Sequence, residues 1–182
     1  MALVLVKEDG TGKADANSYA EAADGDAYFE GHLYATAWTA ATDEKKAAAL
    51  AMATRLIDAE YQFNGFKAHD AQALQWPREK CPDVDASVVS VSVLGWVGDN
   101  YVEPDLVPSA VVQATCEMAR ELLIVDRTAA PPGEGIDTNT NLGTKYSKSD
   151  TRPIISHVAQ AMLSKFGALL DGGSGAVRLV RA

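Results

Sequence analysis

The chain has 182 residues, 47% of them hydrophobic, a size that suits one domain with a single core. Its 25 acidic and 16 basic residues give a net charge of -9, which opposes tight binding of DNA by the isolated chain. No apolar run approaches the ~18 to 20 residues of a membrane-spanning helix, and the start lacks the basic region of an export signal. We therefore expect a soluble protein with no membrane partner.

The N-terminal part is predicted to be an arm followed by a helix. Residues 1–17 combine a short apolar run with a turn-rich segment, which favours a flexible arm. Ser18 and Glu21 have the spacing of a capping box, in which each side chain bonds a backbone amide at the helix start. A helix is therefore expected from Tyr19 to about Glu30.

The second predicted helix has the clearest pattern. Thr42 or Asp43 can cap it, and it should extend to about Tyr61. Apolar positions recur at intervals of three and four residues and so fall on one face. These positions are Ala47, Leu50, Thr54, Ile57 and Tyr61.

The middle of the chain contains turns, an extended segment and a third helix. Asn64-Gly65-Phe66 predicts a turn, and Pro77 excludes a continuing helix and favours an extended, buried Trp76. Alternating apolar and small polar residues predict a β-hairpin or extended loop over 84–102. Pro108 then opens a helix that should reach about Asp126.

The last third is predicted to contain a long loop, a helix and a docking arm. Residues 128–152 lack a hydrophobic pattern, and Pro153 begins a helix through Leu170. Residues 171–182 join a glycine-rich linker to an apolar and basic segment, which suits docking onto another sheet edge, although a disordered end is the alternative. The docking residues are Val177, Arg178, Leu179, Val180 and Arg181.

Together these patterns predict a mainly α protein. We expect a compact bundle of about four helices over 18–170, carrying the 84–102 insertion and the 128–152 loop, with flexible arms at both ends. Cys81 and Cys116 have no motif spacing and are expected to be free thiols. The glycine-rich run at 10–13 lacks the full phosphate-loop pattern, and 137–141 lacks the later positions of a calcium loop. We expect no metal, no cofactor and no enzymatic activity.

A series of motifs occurs in a fixed order along the chain: Glu8 to Tyr19, Asp24-x-Asp26-Ala27-Tyr28-Phe29, Trp38, Ala53 to Asp58, Gln72 to Arg78, and Val107-Pro108. In this order they resemble a group of tailed-bacteriophage proteins. That group is often labelled DnaT-like single-stranded-DNA-binding proteins and is similar to head-tail connector adaptors. The resemblance covers most of residues 8–126 and is weaker in 81–103 and in the last third. The structural signature within these motifs is Ser18, Glu21, Trp76, Pro77, Arg78 and Pro108.

The resemblance implies a structural adaptor subunit of a phage head-tail connector. Such a subunit would form a homo-oligomeric ring, twelvefold, below the portal protein, with tail or tail-completion proteins attached and DNA only as passing cargo. It would reside at the head-tail junction of the virion, and in the host cytoplasm during assembly. The alternative is a single-stranded-DNA-binding protein of phage replication. The isolated tryptophans and the acidic composition count against that alternative, because strand binding favours a basic groove with interleaved aromatic residues.

Overall fold

A computed structural model describes residues 3–85, 101–129 and 153–170. Within these ranges the chain forms five helices and two small antiparallel sheets. The mainly α prediction is confirmed, but the helices do not form a plain four-helix bundle. The helices are α1 (Ala22–Phe29), α2 (Thr36–Thr39), α3 (Asp43–Glu60), α4 (Ser109–Ile124) and α5 (His157–Leu163). The strands are β1 (Tyr61–Phe63), β2 (Phe66–Lys67), β3 (Arg78–Glu79) and β4 (Gly167–Leu169).

Three predicted features fall largely or wholly outside the described residues. They are the 84–102 hairpin between 86 and 100, the 128–152 loop from 130 onward, and the C-terminal arm at 171–182 with its docking residues. Among the described helices, none is long and apolar enough to cross a membrane.

The centre of the fold is the pair α3 and α4, with α5 packed on α4. The predicted apolar stripes explain this, because Leu50 and Ile57 of α3 and Val111 and Met118 of α4 are all fully buried. Thr42 caps α3 by accepting the Lys45 N–H at 3.4 Å. The predictions for these two long helices are confirmed to within two residues at each end.

The predicted start of α1 is wrong by three residues. Ser18 does not cap a helix; its backbone is bridged to Lys7, and its N–H donates to the Val6 carbonyl at 3.2 Å. The cap is Glu21, whose N–H donates to the Asp24 carboxylate at 2.7 Å. The capping-box spacing occurs twice, at Ser18 with Glu21 and at Glu21 with Asp24. Because residues 17–18 pair with the N-terminal segment, the helix begins at the second of these positions.

Residues 3–17 lie against the body rather than in a free arm. The Glu8 side chain is buried, and its carboxylate accepts the backbone N–H groups of Gly10, Gly12 and Lys13 at 2.8–2.9 Å. Gly10 and Gly12 have positive φ values, the conformation that this turn requires. The Lys13 carbonyl accepts the Ala73 N–H at 3.0 Å, which ties the segment to the loop at 68–77.

The last predicted helix is too long at both ends. Ser156 caps α5, accepting the Ala159 N–H at 3.2 Å, and the helix ends at Leu163. The chain then becomes β4, which pairs antiparallel with β1 in the register Tyr61 to Leu169. A Cβ at Gly167 would lie 2.4 Å from the Gln62 carbonyl oxygen, so glycine permits this close strand pairing.

The short helix α2 was not predicted. It places Trp38 in the core, where a Cβ on Gly25 would lie 2.2 Å from the indole ring. The indole N–H donates to the Asp26 carboxylate at 2.8 Å, and Lys46 pairs with the same carboxylate at 2.7 Å. Burial of Trp38 therefore depends on a small residue in α1 and on a charged pair at its edge.

Candidate functional site

The second sheet forms a small exposed surface between the core and the 68–77 loop. Phe66 pairs with Glu79, and Lys67 pairs with Arg78. We call residues 66–67 and 78–80 the β2–β3 ribbon. The chain enters it directly from β1, so Asn64 and Gly65 carry the backbone from one sheet to the other. A Cβ at Gly65, which has φ 75, would lie 2.1 Å from the Glu79 carbonyl oxygen.

Arg78 holds this change of direction in place. Its guanidinium donates to the carbonyl oxygens of Asn64 and Gly65, both at 2.7 Å, and of Phe63 at 3.3 Å. It also donates to the Gln75 carbonyl and side-chain oxygens, both at 3.0 Å. Burial lowers the pKa of Arg78, yet a guanidinium stays protonated in proteins. The ribbon is thus built around a buried positive charge.

A second polar cluster fixes the loop that leads into the ribbon. The Tyr19 hydroxyl donates to the Asp58 carboxylate at 2.5 Å and accepts the N–H groups of Gln75 at 3.0 Å and Trp76 at 3.2 Å. The Gln75 N–H also donates to Asp58 at 3.0 Å. Burial raises the pKa of Asp58 to about 6. Trp76 is fully buried beyond this point and begins a cis peptide bond to Pro77.

The outer face of the ribbon combines an aromatic ring with charge. Phe66 is 69% exposed, so its ring is accessible to a ligand. Lys80 follows β3 with φ 58, and its ammonium lies 4.8 Å from the centre of the Tyr101 ring. Beside them is a shallow pocket of about 220 Å³. Its lining is Glu79, Lys80, Tyr101, Val102 and Pro104.

Basic side chains without a carboxylate partner concentrate on this ribbon. In the described part of the chain, ion pairs within 4.0 Å engage Lys7, Lys13, Lys46, Arg120, Arg127 and Lys165. The basic residues there without such a pair are Lys45, Arg55, Lys67, Arg78 and Lys80. The last three belong to the ribbon. The ribbon therefore combines three basic residues without an ion pair, one of them buried, with the exposed carboxylate of Glu79.

The sequence-predicted signature residues divide into two groups. Trp76, Pro77 and Arg78 are buried at the entrance and centre of the ribbon. Ser18 is buried next to Tyr19, which anchors the same loop. The others act elsewhere, Glu21 as the cap of α1 and Pro108 as the cap of α4. The predicted docking residues Val177, Arg178, Leu179, Val180 and Arg181 lie outside the described residues.

The exposed residues of this surface were missed in the sequence. They are Phe66, Lys67 and Lys80, and the half-buried Tyr101 lies beside Lys80. The available signal was the Asn64-Gly65 pair, a strong turn marker, followed at once by an aromatic and a basic residue. Strands of two residues are too short to show an alternating pattern, so the pairing partner was not visible.

Other reactive groups are less well placed. Cys81 and Cys116 are free and buried, and burial raises the pKa of Cys116 to about 12, which keeps its thiol protonated. Over residues 3–85, 101–129 and 153–170, no group of His, Cys, Asp and Glu side chains could hold a metal ion.

Comparison with protein families gives a match over the whole chain. A family model described as "Putative DnaT-like ssDNA binding protein" matches residues 1–182. Comparisons with curated proteins and with solved structures give no match. The family match corrects the connector prediction: its description names DNA as a binding partner rather than passing cargo, and nothing in it supports a ring, a portal partner, a tail partner or a place in the virion. With all 182 residues matched, the chain belongs to the DnaT-like ssDNA binding family.

Proposed function

We propose that this protein binds single-stranded DNA and that the β2–β3 ribbon is its contact surface. The observation that carries the proposal is an exposed Phe66 on a short ribbon whose three basic residues form no ion pair within 4.0 Å in the described part of the chain. Single-strand binders combine such aromatic platforms with positive charge along the backbone. The family description supports the same class of ligand.

Phe66 is the proposed stacking platform. Its exposed ring offers an apolar face, and every base has a π-face that can cover it regardless of sequence. Base–aromatic stacking contributes about 1–3 kcal/mol per base in such proteins. Paired bases in a duplex keep their faces against their neighbours, so this contact favours single strands.

Lys67 and Lys80 are the proposed phosphate contacts. Lys67 follows Phe66 on β2, and its ammonium donates to the Gln72 carbonyl at 3.4 Å, so it would contact phosphate at the edge of the ribbon; Lys80 directly follows the residue paired with Phe66. Arg78, the sheet partner of Lys67, adds a buried charge nearby that the Asp58 carboxylate partly compensates. Two phosphate contacts release few counterions, so we expect a shallow salt dependence with a log–log slope of about -1.4, using about 0.7 per phosphate on single strands.

The net charge of -9 weakens long-range attraction but does not decide contact at the ribbon. At physiological ionic strength, charges on the surface are screened beyond about 8 Å. The potential that a bound phosphate experiences therefore depends mainly on neighbouring side chains. The composition argument against strand binding holds for the chain average, whereas the ribbon is locally basic.

The proposal is tested with Phe66→Ala. Fluorescence anisotropy with a labelled mixed-sequence single strand should show affinity lower by about 5- to 150-fold, the equivalent of one lost stacked base. Tyr34→Ala is the matched control, because Tyr34 is 76% exposed in the connection between α1 and α2. An unlabelled duplex should compete poorly.

Two results would contradict the proposal. One is a wild-type protein that leaves the labelled strand free at low salt. The other is equal loss of affinity in Phe66→Ala and Tyr34→Ala, which would remove the ribbon as the specific contact surface.

A further inference from the structure

We infer that the β2–β3 ribbon discriminates among bases, favouring those with an exocyclic amino group over thymine and uracil, through the carboxylate of Glu79. This inference rests on the proposed binding of single-stranded DNA at the ribbon. It adds a specificity-determining residue to a surface that otherwise contacts base faces and phosphates.

The register of the sheet places Glu79 beside the stacking platform. Phe66 and Glu79 are direct partners in the antiparallel pair, so their side chains project from the same face. Cβ atoms of such partners lie about 4.5–5.5 Å apart. A base stacked on the Phe66 ring therefore has one edge within reach of the Glu79 carboxylate.

The Glu79 carboxylate is available for that edge. Glu79 is exposed, and no hydrogen bond or ion pair within the described part of the chain engages its side chain. It also lines the pocket of about 220 Å³, where Val102 and Pro104 supply apolar walls. Lys80 lines the same pocket and would meet the phosphate of a nucleotide whose base contacts Glu79.

The chemistry of a carboxylate sets the preference. An ionised glutamate accepts hydrogen bonds and donates none. Cytosine and adenine present amino donors at N4 and N6, and glutamate and aspartate characteristically accept from cytosine N4. Thymine and uracil present a carbonyl oxygen at the corresponding position, which repels a carboxylate, whereas their N3–H is a donor and the cytosine N3 is an acceptor. The preference therefore requires the Glu79 carboxylate to meet the group at position 4 of a pyrimidine rather than N3.

The sharpest test compares oligodeoxycytidine with oligodeoxyuridine of equal length, because these bases differ at the amino or carbonyl group and the adjacent ring nitrogen and neither carries a methyl group. The wild-type protein should bind oligodeoxycytidine at least about fivefold more tightly at neutral pH. Glu79→Gln should abolish the preference, since a carboxamide both donates and accepts. Glu30→Gln, an equal charge change at the end of α1, should retain it.

The outcomes separate this inference from the proposed function. Equal binding of the two strands by the wild-type protein, or a preference that survives Glu79→Gln, overturns the role of Glu79 and leaves strand binding intact. Binding of neither strand overturns both. A preference lost in Glu79→Gln and retained in Glu30→Gln supports the inference.

Discussion

Two buried arginines, Arg78 in the β2–β3 ribbon and Arg127 after α4, have different partners. Arg127 pairs with Glu121 at 3.0 Å, and Glu121 also bonds Arg120 at 2.8 Å. Arg127 further donates to the Pro153 and Ile154 carbonyls, which joins α4 to the segment before α5. The hydrogen bonds of Arg78 go to carbonyl oxygens and to the Gln75 side chain.

The difference is one of net charge. Around Arg127 the positive charge is compensated by the Glu121 carboxylate. This arginine therefore joins α4 to the following segment and contributes little to the electrostatic potential at the protein surface. Around Arg78 the carbonyl oxygens satisfy the donors, no carboxylate forms an ion pair within 4.0 Å in the described part of the chain, and the charge interacts at longer range with the Asp58 carboxylate. A buried guanidinium can thus hold a turn in place through backbone oxygens, with its charge only partly compensated.

The largest expected effect comes from Arg78→Met. The buried carbonyl oxygen of Phe63 and the part-buried ones of Asn64 and Gly65 would lose their donor, and a buried unsatisfied group costs about 1–3 kcal/mol. We expect the free energy of unfolding to fall by about 3–5 kcal/mol, measured by urea denaturation. Arg78→Lys should recover little, because an ammonium cannot reproduce the planar fork. A loss below about 1 kcal/mol would show that water replaces the guanidinium easily.

The next largest effect is a pH dependence of stability that comes from Asp58. Its carboxylate accepts the Gln75 N–H in the loop that leads into the ribbon. Its pKa is raised from 3.8 to about 6 by burial, so the folded state binds this proton more tightly than the unfolded state. The contribution of Asp58 to stability is therefore greatest below pH ~4 and falls as the pH rises through ~6, by up to about 3 kcal/mol.

Asp58→Asn isolates that contribution. The stability of Asp58→Asn relative to wild type should improve between pH 4 and pH 7, as followed by chemical denaturation at each pH. Asp26→Asn is the contrasting variant, because hydrogen bonds from Lys46 and Trp38 lower the pKa of Asp26. It should not reproduce the improvement. A pH-independent difference for Asp58→Asn would mean that the carboxylate stays equally ionised in both states.

The smallest effect is expected from Lys80→Asn. Asparagine tolerates the left-handed backbone found at Lys80, so the substitution removes the charge with little strain. The slope of log affinity against log salt should decrease in magnitude by about 0.7, measured by anisotropy over a salt series. Lys45→Asn, which removes an unpaired charge on α3, is the control. Equal slopes in wild type and Lys80→Asn would exclude a phosphate contact there.

Long periodic segments were the part of the fold that the sequence could predict. The stripes around Leu50 in α3 and Met118 in α4, with a cap at Thr42, left few alternatives. The predictions were wrong where contacts with residues far away in the sequence determine the local secondary structure. Ser18 has a valid capping pattern, but its pairing with Val6 excludes a helix there. Gly167 follows a helical pattern, but β1, more than a hundred residues earlier, makes it a strand.

The candidate site was harder to predict for the same reason. Trp76, Pro77 and Arg78 were recognised as a signature, and they are the supports of the ribbon. Phe66 and Glu79 became a pair only through the fold, since two-residue strands show no period. The net charge of the whole chain did not reveal the basic residues of the ribbon. The prediction of a connector relied partly on that net charge, and the family match does not support it.

The carboxylate of Glu8 has a practical consequence for work on this protein. Its three hydrogen bonds to backbone amides fix the conformation of residues 8–13. In that conformation the Lys13 carbonyl accepts the Ala73 N–H of the loop that leads into the proposed DNA-contact ribbon, and Gly12 lies close to the His69 ring. A shortened protein that lacks the first seventeen residues would lose these contacts and, with them, part of the support of the proposed DNA-contact ribbon. Tags and fusions are better joined ahead of Leu3, so that residues 8–13 keep their contacts.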